Sequence, residues 1–112
     1  GPDEQYLAGR MMGADAGIGG TYGAMPQLYL ALENAIRAKE FEKAQEIQGV
    51  ITPLIYELCS FPSLYGAVKA ILALDGCPIG EPRLPFLPVS KEDPALQALY
   101  HKIQKATEVY CL

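Results

Sequence analysis

The sequence predicts a mostly helical chain with one short strand, the order expected where an alternating strand–helix protein gives way to a helical extension. Three observations lead there. Apolar residues recur three and four apart in several segments, only Ala16-Gly17-Ile18-Gly19 suits a strand, and prolines and glycines stand where helices open or close.

Asp3 to Met12 is predicted as a short helix, because an acidic pair in its first turn suits the positive end of the helix dipole and Gly13 supplies a left-handed stop. Ala16 to Gly19 is the strand candidate, although the run is short and glycine is a poor strand former. Gly20-Thr21-Tyr22-Gly23 follows as a turn. Pro26 then opens a helix to about Ala38, at the first-turn position where its missing N–H does no harm. From Phe41 to about Cys59, Ala44, Ile47, Ile51, Leu54 and Leu58 form one apolar stripe, and Pro53 is expected to bend or divide it. Pro62 to about Leu74 is the next helix, with Leu64, Val68, Ile71 and Leu72 facing inward and Asp75-Gly76 as its end. Cys77 to Ser90 carries Pro78, Pro82, Pro85 and Pro88 and is an extended connection. The last helix runs from Lys91 or Asp93 to Tyr110, with Leu96, Leu99, Ile103 and Ala106 on one side. One strand cannot satisfy its own backbone donors and acceptors, so this order reads as part of something larger.

The 112 residues are 50% hydrophobic and 20% charged, with a net charge of −4 and an isoelectric point near 4.9. That is one domain's worth of chain, enough for a packed core, and its acidic balance argues against nucleic acid and anionic membranes as partners. The uncharged stretch Ala16 to Leu32 is broken by glycines and Pro26, so it is no membrane span, and no basic, apolar signal opens the sequence. Cys59, Cys77 and Cys111 are an odd set at wide spacings, with His101 the one histidine. Neither a disulfide framework nor a zinc site is expected, and a reducing cytoplasm is the simplest location.

Asp3 and Glu4 are open to two readings. They compensate a helix dipole or cap its start, or they accept hydrogen bonds from the hydroxyls of a polyol. As neighbours on one turn they point in different directions, which suits two hydroxyls better than an acid–base pair. The run Gly17 to Gly23 lacks the G-x-G-x-x-G spacing of a dinucleotide site, but its backbone N–H groups could approach a ligand without Cβ obstruction; tight packing explains it equally well. A Schiff-base lysine needs shielding that keeps its amine neutral at about pH 7. Lys39, Lys43, Lys69, Lys91, Lys102 and Lys105 lie in charge-dense segments or on outer faces and are expected to be solvated. Ser60 and Ser63 flank Pro62 as helix caps. No complete catalytic constellation is present.

The runs Gly1-Pro2-Asp3-Glu4, Gly13-Ala14-Asp15-Ala16-Gly17-Ile18-Gly19-Gly20-Thr21-Tyr22, Phe41 to Gln48 and Arg83-Leu84-Pro85-Phe86-Leu87-Pro88-Val89 resemble, in order, the C-terminal part of the N-acetylneuraminate lyase and dihydrodipicolinate synthase family. Within it, G-x-D-E and G-I-G-x-T-Y are more similar to the sialic acid lyases. The resemblance implies an α/β fold, a TIM (β/α)8 barrel with a C-terminal helical extension, of which residues 1–38 are the last helix–strand–helix part and residues 39–112 the extension. A barrel needs about 200 residues or more, so this chain would hold only part of one. The implied reaction is reversible aldol cleavage through a lysine Schiff base with pyruvate. The lysine and its partner tyrosine belong to earlier strands, so no catalytic residue, metal or cofactor is expected here and the piece alone should be inactive. Carried over residue by residue, Gly1, Asp3 and Glu4 match positions that contact the polyhydroxyl chain of sialic acid. Gly20 matches a substrate-contacting serine and removes its hydroxyl, while Gly23 replaces an asparagine. The implied partners are a small-molecule substrate, the missing N-terminal barrel portion and further copies in a homotetramer. A dihydrodipicolinate synthase or other 2-keto acid aldolase is the alternative within the family. A non-catalytic helical module that buries its apolar stripes on a partner is the alternative outside it.

Overall fold

The computed structural model describes residues 1–111. A single 3-10 turn, Asp3–Gln5, leads into α1 (Tyr6–Met11), and a second, Tyr22–Ala24, precedes α2 (Pro26–Arg37). Then follow α3 (Phe41–Cys59), α4 (Leu64–Leu74) and α5 (Pro94–Tyr110). The helix starts obey the chemistry of their first residues. Pro26 and Pro94 occupy first-turn positions, Asp93 Oδ1 accepts from the amides of Ala95 at 2.8 Å and Leu96 at 3.4 Å, and Ser63 Oγ accepts from Gly66 N at 3.2 Å. Gly13 and Gly76 take the positive φ that ends α1 and α4, at +102° and +85°. Between α2 and α3 that role falls to Lys39, at φ +59°, a position its sequence did not advertise.

α3 is the central element, packed on α2, α4, α5 and the N-terminal turn. Leu28, Leu32 and Ile36 of α2, Ile47, Ile51 and Leu58 of α3, Ile71 of α4, and Leu96, Leu99 and Ile103 of α5 make one core, which runs across residue 38 without a break. α4 leaves α3 at a corner of 111°. No single helix among the described residues is long and apolar enough to cross a membrane.

Several expectations are corrected. The strand at Ala16–Gly19 does not form: no strand occurs among the described residues, and these four residues run without regular structure. The reason is that a single strand cannot satisfy its own donors and acceptors, and no other strand is present among the described residues to pair with it. Pro53 does not divide α3. It lies on the exposed side, where the Gly49 carbonyl that loses its N–H partner meets water, while Ile51, Leu54, Ile55 and Leu58 hold both halves to the core. α4 starts at Leu64, two residues after Pro62, and its fully buried face is Gly66, Ala67, Ala70 and Ile71; Leu64, Val68 and Leu72 are half-buried. The small residues let another part of the chain come close. A β-carbon on Gly66 would strike the Leu87 carbonyl oxygen, because the proline-rich connection crosses α4 there. Ser60 caps no helix start; its hydroxyl donates to the Glu57 carbonyl at 2.6 Å, at the end of α3.

Candidate functional site

The first turn, the glycine run and the start of α2 converge through side-chain bonds. Asp3 Oδ2 accepts from the Thr21 amide at 2.9 Å and from Thr21 Oγ1 at 2.5 Å, and Thr21 Oγ1 lies 2.8 Å from the Tyr29 hydroxyl on α2. Thr21 is only 2% exposed and Tyr29 is buried as well. Asp3 therefore does more than sit at a dipole. It ties the first turn to the turn that begins at Gly20, and it caps nothing, since the cap position is Pro2 and no side-chain bond forms there.

Beside this bond lies an aromatic cluster. Tyr6 stands edge-on to Tyr22 and Tyr29, with centroids 6.0 and 6.1 Å away, and Tyr22 and Tyr29 are 4.2 Å apart. Burial, followed by the bond to Glu33, pushes the Tyr6 phenol up to about 12; burial also raises Tyr22 and Tyr29. All three are neutral hydrogen-bonding groups at ordinary pH. The glycine run passes against the cluster. A β-carbon on Gly17 would collide with Tyr22 and Tyr6, and one on Gly19 with Asp3 Oδ1 and Tyr22. These two glycines are thus required by close approach.

Glu33, on the next exposed turn of α2, joins the cluster to α1. Its Oε1 accepts from the Tyr6 hydroxyl at 2.6 Å and from Arg10 Nε at 2.7 Å, and its Oε2 accepts from Arg10 Nη2 and Arg37 Nε, each at 3.0 Å. Arg10 Nη1 also donates to the Ala14 carbonyl. The Arg10 bond, then the Tyr6 and Arg37 bonds, hold the Glu33 carboxyl at about 2, against 4.5 ordinarily.

Asp3 and Gly20 are brought together, Gly20 being the residue before the Thr21 amide that Asp3 binds. Gly1 lines a 440 Å³ cleft with Pro2, Tyr6, Gly17, Ile18 and Tyr22. Glu4, half-buried, lines a separate 330 Å³ cleft with Met11, Phe41 and Gln48, so the two carboxylates do face different ways. Gly20 is not demanded by packing. A β-carbon there would meet Leu64 Cδ2 at 3.5 Å and Tyr65 Cε1 at 4.0 Å, ordinary contacts that leave room for a serine. Five of the lysines are exposed; Lys69 is half-buried and its Nζ donates to the Glu81 carbonyl at 3.2 Å. Sequence reasoning missed the tyrosines and Glu33. The spacing of Glu33 and Arg37 was a readable helix pair, but Arg10 and Tyr6 reach Glu33 only through the tertiary fold.

The fold and these side-chain ties can be set beside known proteins. The profile of the dihydrodipicolinate synthetase family matches residues 1–106. The chain belongs to that family. It is 39% identical, over 99% of its length, to the N-acetylneuraminate lyase of Mediterraneibacter gnavus, covering 34% of that protein. It superposes on the Ruminococcus gnavus sialic acid aldolase, in wild-type form and as a catalytic lysine mutant, with a TM-score of 0.90 and 38% identity over 97% of this chain and 37% of that one. Proteus mirabilis N-acetylneuraminate lyase gives a TM-score of 0.75 at 25% identity, over 93% of this chain and 34% of that chain. These neighbours are TIM-barrel lyases, and the chain spans about a third of the length of the curated relatives it matches.

Proposed function

We propose that this chain is the sugar-binding end of a Schiff-base, pyruvate-dependent aldolase, an N-acetylneuraminate lyase that cleaves sialic acid to N-acetylmannosamine and pyruvate. Residues 1–38 complete the barrel and residues 39–112 are its helical extension. Gly1, Asp3, Glu4 and Gly20 line the path of the substrate's polyhydroxyl chain. The imine-forming lysine and the catalytic tyrosine come from the rest of the barrel, so the 112 residues alone do not turn over substrate. The observation that carries this reading is the bond from Asp3 to Thr21, which joins the G-x-D-E and G-I-G-G-T-Y runs into one surface across 18 residues of sequence. Likeness to sialic acid lyases over nearly all of this chain supports it further. The partners in this reading are sialic acid or a related 2-keto acid sugar, the remainder of the barrel, and further copies of the whole enzyme. Three free thiols suit a reducing cytoplasm.

The test uses the complete barrel enzyme that carries this segment. Borohydride added with pyruvate is expected to trap a covalent adduct on a lysine outside residues 1–112. Glu4→Gln is expected to weaken sugar cleavage while leaving that trapping intact. Absence of any adduct, or adduct on one of the six lysines here, overturns the reading.

A further inference from the structure

Asp3 Oδ2 is fully occupied by Thr21, and this fixes the direction of the chain of bonds behind it. A threonine hydroxyl has one proton, and at 2.5 Å from a carboxylate oxygen, which can only accept, that proton is given to Asp3. At the 2.8 Å contact with Tyr29 the Thr21 oxygen is therefore the acceptor and the phenol the donor. The order is Tyr29 O–H to Thr21 O–H to Asp3 Oδ2, with Thr21 and Tyr29 buried and Asp3 half-buried. Chains of this kind strengthen each member and fix its orientation. Asp3 Oδ1, in contrast, has no hydrogen-bond partner among the described residues, and it stands beside Gly19, where a side chain would strike it. One carboxylate oxygen is anchored, and the other is left without a hydrogen-bond partner among the described residues.

We propose that Thr21 and Tyr29 are positioning residues for the sugar: they hold the Asp3 carboxylate so that Oδ1 meets a substrate hydroxyl. This deepens the aldolase reading and rests on it. Both residues act through Asp3 in this reading, since their hydroxyls are committed to that chain of bonds. Their loss should therefore be felt in sugar binding and not in formation of the pyruvate imine.

The test again uses the complete enzyme. Thr21→Val keeps the shape and removes both hydroxyl bonds; it is expected to raise KM for sialic acid about tenfold, the scale of a lost hydrogen bond to a charged group. Thr21→Ser restores the hydroxyl and is expected to return KM to within about threefold of the parent. Tyr29→Phe leaves Thr21 bonded to Asp3 and is expected to raise KM about threefold. In all three the rate of borohydride trapping with pyruvate stays at the parental value. Unchanged KM in Thr21→Val, or equal loss of trapping and sugar cleavage without rescue by serine, overturns the proposal. If the unsubstituted enzyme traps no pyruvate, the aldolase reading fails instead. The relay is then judged in this chain by amide exchange at Thr21, which Tyr29→Phe must accelerate; no acceleration ends it.

Discussion

The N-terminal third and the α3–α5 body are held together by different physics. In the body, Ile47, Ile51, Leu58, Ile71, Leu96, Leu99 and Ile103 are buried and make a contiguous apolar core, and their polar groups are those of helical backbone already satisfied within each helix. In the N-terminal third, Asp3, Tyr6, Arg10, Thr21, Tyr22, Tyr29 and Glu33 make a connected set of side-chain bonds and ring contacts, and the glycine run fits around them. Apolar burial tolerates exchange of one hydrocarbon for another, whereas a polar network depends on each donor meeting its acceptor. The two regions should therefore fail in different ways.

The largest expected effect is in the body. Leu58→Ala, at a fully buried site facing several helices, should destabilise the chain by about 3 kcal/mol, measured by urea unfolding. Next comes the polar N-terminal third, and here the signature is pH. Glu33 is 15% exposed and its carboxyl is depressed from 4.5 to about 2. A depressed folded-state value stabilises the protein above the unfolded value and is lost as pH falls through the folded one. Unfolding measured from about pH 5 down to about pH 2 should thus show a loss on the order of 2 kcal/mol that is absent in Glu33→Gln. Leu58→Ala should shift the whole curve without changing that slope, which separates the two regions in one experiment. The smallest effect concerns the start of α5: Asp93→Ala removes two amide bonds and should cost about 1 kcal/mol, with Asp93→Ser recovering most of it.

The helical body was the more legible region. Its stripes, first-turn prolines and glycine stops are local signals, and local signals survive folding. Where reading failed there, the cause was tertiary: Pro53 was placed on a solvent face, and Gly66 and Ala67 were buried because a second segment crosses α4. In the candidate site, Asp3, Glu4 and the glycine run were legible as a pattern, but the purpose of Gly17 and Gly19 was not, because the tyrosines they avoid are contributed by three separate elements. Ala16–Gly19 was read as a strand on composition and position. A strand is a property of a pair, and no second member occurs among the described residues.

Ala14 to Gly20 also joins α1 to the turn before α2, yet this peptide link is not the sole tie between them. Tyr6 and Arg10 grip Glu33, and Asp3 grips Thr21, on both sides of the link. Within the loop Ile18 points away at 98% exposure, while Gly17 and Gly19 on either side of it pack against Tyr6, Tyr22 and Asp3. A cut beside Ile18 is expected to leave these side-chain ties between the leading residues and α2 in place. New chain ends could therefore be opened at this point without unseating Asp3.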